Sequence, residues 1–229
     1  MNRIATVMKI QAKDKMLWIA VPWLFILLPS FLINVAIGLI TRPEEGMVTG
    51  GLLSIFICMM VVGIISLAQS FPFALGFGIR RTDYFLGTSA MITLVSAATG
   101  AVLMLLSFVE GESGWGIGLH YFNLPFVSDG SVPEQWWVYF ACMMHMFYLG
   151  FVISGVYRRF GRTGMLVLFA AVFVVISFLA LLCTYYGWWK PVFFWLAGHT
   201  AAELATWLFA GSVVYALISY GMLRKTAVA

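Results

Sequence analysis

Few residues in this 229-residue chain are of the kinds that carry chemistry, and their spacing limits what each can do. Gly87-Thr88-Ser89-Ala90 puts a hydroxyl nucleophile in an apolar run, and His145 is the candidate base for it. Ser89 belongs at the edge of its run and His145 near the middle of another. Their depths disagree by roughly two helical turns at 1.5 Å per residue, which argues against serine hydrolysis. Cys58-Met59-Met60 and Cys142-Met143-Met144-His145-Met146 fall at similar depths, and thiol, thioether and imidazole are ligands that suit Cu(I). Packing is the competing reading, because Met is ordinary core filler and the chain has 13 of them. His120, His145 and His199 share no ligand spacing. No Gly-x-x-x-x-Gly-Lys-Ser/Thr sequence is present to cradle nucleotide phosphates. The expectation is a chain with no catalytic, cofactor or metal residues of its own.

The stretch from Phe71 to Leu86 offers contact chemistry instead: it is short, aromatic and basic. Pro72 removes a backbone donor and is expected to end the helix before it, while Gly76 and Gly78 loosen the chain. Thr82 and Asp83 sit where the next helix would take a cap and a negative charge. The simplest picture is a small crosswise element exposing Phe73 and Phe77, one turn apart, with Arg80 and Arg81 beside them.

The run FPFALGFGIRRTDYFLGT resembles the cytoplasmic coupling segment of bacterial ABC transporter permeases of the type-2 exporter class. GVYRRFGRTGMLVL, from Gly155 to Leu168, is similar to the loop joining the fourth and fifth spans of such permeases. The resemblance implies a membrane subunit that moves a substrate outward while separate ATPase subunits hydrolyse ATP. It also implies a second permease subunit, identical or related, that completes the pathway. The ATPase contact would fall on Phe73, Phe77, Ile79, Arg80, Arg81, Asp83 and Tyr84.

The elements that would hold these residues are apolar spans. The chain is 62% hydrophobic and 10% charged, with mean hydropathy +0.99, too little polar surface for a water-soluble globule. Six stretches are long enough to cross a membrane: 17–40, 52–71, 86–109, 136–156, 165–185 and 205–223. None contains Asp, Glu, Lys or Arg. With both termini cytoplasmic, all but Arg42 and Lys190 of the 13 Lys and Arg residues lie inside, and all but Asp14 and Asp83 of the 9 acids, Glu44, Glu45, Glu112 and Asp129 among them, lie outside. This division predicts an all-α polytopic protein of one transmembrane domain, and the resemblance implies a prokaryotic cell membrane. The net charge of +4 is explained by orientation, so nucleic acid is not implied. Cys58, Cys142 and Cys183 lie in apolar segments and read as buried hydrophobes, not a disulfide framework.

Residues 1–16 carry basic residues among spaced apolar ones. They fit either an interfacial helix, which the resemblance also implies, or a basic tail that only sets orientation. The apolar run after them is too long for a signal core and reads as a retained first span. Within it, Pro22 and Pro29 would bend the helix, and Asn34 reads as an interhelical hydrogen bond or as part of a substrate path. The third span is rich in small residues, including Gly87 and Gly100, and is expected within the bundle. Glu110 to Gln135, glycine-rich and aromatic, is expected to fold back on the membrane surface. Segment 187–204, with its run of Trp and Pro191, reads as interfacial or re-entrant. Glu203 stands at its end, either facing a cationic substrate or as a solvated helix-start carboxylate. Coupling residues fall in 72–85. Besides the exporter, an ion-coupled secondary transporter and a non-transporting membrane scaffold or receptor stay open, although no span carries the mid-depth carboxylate of a cation-coupled carrier.

Overall fold

The computed structural model describes residues 3–41, 46–128 and 130–225. Arg42, Glu44, Glu45 and Asp129, which enter the charge division, lie outside the described residues, as do the side chains of Glu112 and Lys225. The chain is all-α apart from one pair of two-residue strands, β1 (Met47–Val48) and β2 (Leu119–His120), paired in parallel.

Helix α1 (Arg3–Lys13) turns Val7 and Gln11, one turn apart, inward. Asp14 then accepts the Leu17 amide at 3.1 Å and caps a π-helical stretch, Met16–Leu27, that runs straight into α2 (Leu28–Thr41). Pro22 lies inside the π-helical stretch and Pro29 at its junction with α2, so both prolines fall where the helix changes type. The next helix repeats the device. Helix α3 (Leu53–Ile65) passes through a π-helical turn, Ser66–Ser70, into α4 (Phe71–Gly76).

Pro72 therefore does not end the helix, contrary to the expectation from its chemistry alone. It lies directly after the π-helical turn in a helix that continues through it, and Arg158 donates to the Leu67 and Ala68 carbonyls of that turn. The helix ends at Gly78, whose φ of 72° lets its amide reach Leu75 O and the Ile79 amide reach Ala74 O. Helix α5 (Arg81–Glu110) starts at once, with Arg80 as the capping residue in place of Thr82, and Asp83 in its first turn as expected.

After the short helix α6 (Pro125–Ser128), α7 (Val132–Tyr185) is a 54-residue run interrupted at Gly161, where φ 66° and ψ −160° are not helical. The expected loop between the fourth and fifth spans is thus compressed to one glycine. Helix α8 (Trp189–Ala197) holds Pro191 in its first turn, and α9 (Ala201–Lys225) closes the chain. Among the described residues five helices are long and apolar enough to cross a membrane, the run broken at Gly161 counted as one.

The first half of α7 forms the centre, packed by α3, α5 and α9. Its closest crossing is with α3: a Cβ on Gly150 would collide with the Met60 carbonyl, and one on Gly63 with the Phe147 carbonyl. Small residues permit that approach, here at Gly63 and Gly150. Gly87 on α5 admits Val7 of α1. From Gly161 to Thr200 no side chain is buried.

Both described ends of the chain meet the α4–α5 turn. Arg81 donates to the Arg224 carbonyl at 2.9 Å, and Arg3 approaches Asp83 at 4.0 Å. Arg158 also lies at this end, bonded to Leu67 and Ala68. Thr200 lies at the other, sharing a hollow with Gly130 and Glu134. The chain between Arg158 and Thr200 therefore travels from one end of the bundle to the other.

Candidate functional site

A cleft of 810 Å³ opens at the end where the described chain ends meet. Its walls come from α1 (Ile10, Gln11, Lys13), from the π-helical stretch after it (Leu17, Trp18) and from the second π-helical turn and α4–α5 turn (Ser66, Gln69, Phe73, Phe77, Ile79). Both π-helical elements thus face one cavity, a placement that such irregular turns favour at functional sites.

The seven residues expected at a partner surface divide by exposure. Phe73 and Phe77 project outward, 54% and 66% exposed, with ring centroids 4.7 Å apart in an edge-to-face pair. Arg80 beside them is exposed. Ile79 and Tyr84 face inward. Tyr84 is fully buried, with its hydroxyl 2.7 Å from Ser70 Oγ and donating to Ser66 O at 3.0 Å, and its ring 5.1 Å from Phe71. Arg81 and Asp83 are half-buried and tie this turn to the chain ends. Tyr84 and its serines fix the π-helical turn, and so the direction in which Phe73 and Phe77 point.

Arg158 supports the same turn from α7. Its guanidinium donates to the carbonyls of Leu67 and Ala68 and lies over the Phe71 ring, 5.1 Å from the centroid. In the sequence it is one of several arginines after an apolar run, and nothing there marks it.

The opposite end is organised by Glu110, 0% exposed, at the last residue of α5. Its carboxylate accepts the Trp115 indole at 2.7 Å, the amides of Tyr121 at 2.8 Å and Phe122 at 2.7 Å, and the Asn123 amide. Charge-assisted bonds of this kind offset the cost of burying the acid. Tyr121 then donates to Ser30 at 2.9 Å, and burial lifts its phenol above the ordinary tyrosine range while that bond acts the other way. A second polar string joins Ser107, Gln135 and Tyr139, the last donating to the Phe122 carbonyl at 3.0 Å. The long glycine-rich connection is held against the helices by these bonds.

The remaining sequence candidates are dispersed. Asn34 donates to Ser30 O of its own helix at 2.8 Å, so its recorded bond is intrahelical where an interhelical one was expected. Glu203 accepts the Thr200 amide at 2.9 Å and caps α9, as a helix-start carboxylate does. Ser89 Oγ accepts the Tyr148 hydroxyl at 2.8 Å, whereas His145 Nδ1 donates to Leu208 O at 2.9 Å. The structure does not bring that serine and histidine together. His199 Nδ1 donates to Trp195 O at 2.7 Å. Among the described residues no three His, Cys, Asp or Glu side chains gather as a metal site.

Comparison of the chain with protein-family models, with curated proteins and with solved structures finds no match in any of the three.

Proposed function

We propose that the chain is the membrane-spanning permease subunit of an exporter driven by a separate ATPase. The observation that carries this reading is the exposed Phe73–Phe77 pair, held past the end of a long apolar helix with Arg80 beside it. Two aromatic rings paired edge to face and left outside a folded bundle need a partner, and an arginine beside them suits a surface with acidic groups. The turn that carries them lies with Arg3, Arg81, Arg158 and Arg224, so the positive-inside bias makes this end cytoplasmic, together with both termini.

Six crossings follow when the run Val132–Tyr185 is counted as two spans meeting at Gly161. Helix α1 would then lie along the cytoplasmic interface and α8 along the outer one. The uncharged spans suit a hydrophobic or amphipathic substrate, and a second permease subunit would enclose its path.

The test is Phe77→Asp. A charge set into an apolar contact has no partner there, while the permease itself still folds because Phe77 is exposed. Co-purification of the ATPase and substrate-stimulated ATP hydrolysis are expected to fall together. Retention of the ATPase at the wild-type ratio would remove this role from the segment.

A further inference from the structure

We propose that the 810 Å³ cleft beneath α1 binds a membrane glycerophospholipid whose headgroup carries a hydrogen-bond donor. The inference rests on the membrane placement above but not on the ATPase. The first observation is the orphaned amide of Gln11. This side chain is 3% exposed and lines the cleft; its Nε2 donates to Thr88 Oγ1 at 2.7 Å, and its Oε1 has no partner. A buried acceptor left unmade costs on the order of a hydrogen bond, so a donor is expected to meet it.

The second observation is the division of the walls. Ile10, Leu17 and Trp18 give apolar surface on which acyl chains would lie, Phe73 and Phe77 continue the wall at its open end, and Lys13, half a turn beyond Gln11 and next to Asp14, is exposed at the rim. An apolar body, a donor and an anion one half-turn apart describe a phospholipid: acyl chains along Ile10, Leu17 and Trp18, phosphate against Lys13, and a headgroup hydroxyl or ammonium on Gln11 Oε1. A phosphocholine headgroup has no such donor. The site therefore discriminates by hydrogen bonding and not by acyl chain.

The purified wild-type chain in detergent, incubated with equal amounts of phosphatidylglycerol, phosphatidylethanolamine and phosphatidylcholine, should retain the first two over the third. The preference expected from one hydrogen bond is about threefold to tenfold, read by native mass spectrometry. Gln11→Leu should bring the three lipids to parity, and Lys13→Met, at an exposed position that leaves the fold intact, should lower retention of all of them. Equal retention of phosphatidylcholine by the wild type, or no change in Lys13→Met, overturns the proposal. Displacement of the lipid by glycerol 3-phosphate at matched concentration would also overturn it, since the site would then read a soluble phosphate ester. Loss of ATPase binding in Arg80→Glu, at an exposed residue that does not line the cleft, with lipid preference intact would separate this site from the coupling role.

Discussion

Arg158 lies over the Phe71 ring, 5.1 Å from its centroid, while its Nη1 donates to Leu67 O at 3.2 Å and Ala68 O at 3.4 Å. One side chain of α7 thus holds both the π-helical turn and the first residue of α4. A π-helical turn shifts the backbone register and leaves carbonyls to seek other donors, and the guanidinium supplies them.

Arg158→Met should release that turn. The expected loss is about 1–3 kcal/mol from one cation–π contact and the carbonyl bonds. Amide exchange should quicken from Ser66 to Gly78 and stay unchanged from Ile55 to Val62 on the same helix. Uniform exchange along the helix would mean that the turn is held by Tyr84 and its serines alone.

The α3–α7 crossing gives a sharper contrast. Gly150→Ala drives a methyl into the Met60 carbonyl, a backbone atom that cannot swing aside, and Gly63→Ala does the same at Phe147. Each should cost about 1–3 kcal/mol or more, the range of overpacking in a close-packed interior. Gly76→Ala, with open space around its would-be Cβ, should be neutral or gain up to about 1 kcal/mol. Thermal denaturation in detergent ranks the three, and equal midpoints would refute the crossing.

The long apolar helices are legible in the sequence because uninterrupted apolar length alone locates them. The end of α4 is not. Pro72 reads as a helix stop, and only the change of helix type at Ser66–Ser70, which no residue there announces, together with the Arg158 donors to Leu67 O and Ala68 O, accounts for the helix passing through it. Phe73 and Phe77 were found by spacing; the inward turn of Ile79 and Tyr84 was not, because a tight hairpin at Gly78 decides it. Glu110 looked like one more outer acid, since nothing local shows that four N–H groups converge on it from residues 115 to 123.

Glu110→Gln tests that convergence. The amide keeps one acceptor oxygen and puts an NH2 group where an amide donor already points. The expected cost is about 2–4 kcal/mol, from lost charge-assisted bonds and one donor–donor clash. Trp115 should become more accessible to an aqueous quencher, while the Arg81 end keeps its amide-exchange protection. A variant as stable as the parent, with Trp115 still shielded, would show that the loop is held by Tyr139 and Ser30 instead.

The topology can be read from labelling, and the structure chooses the positions. Arg162 and Val132 are suitable positions, whereas the neighbouring glycines are not: Gly161 has a φ of 66° that strains any other side chain, and Gly130 is crowded by Glu134. Arg162 and Val132 are both exposed, and they stand at opposite ends of the first half of α7. In a version without Cys58, Cys142 and Cys183, a membrane-impermeant maleimide added to intact cells should label Val132→Cys and leave Arg162→Cys unmodified until the cells are opened. A third cysteine at Tyr186, also exposed, distinguishes the crossing counts. If the chain crosses again after Gly161, Tyr186→Cys labels with Val132→Cys from outside; if residues 162–185 stay on the Arg162 side, it labels with Arg162→Cys. The latter result would leave five crossings and put the chain's two ends on opposite faces. That outcome would conflict with the Arg3–Asp83 and Arg81–Arg224 contacts, which bring Arg3 and Arg224 to the same α4–α5 turn.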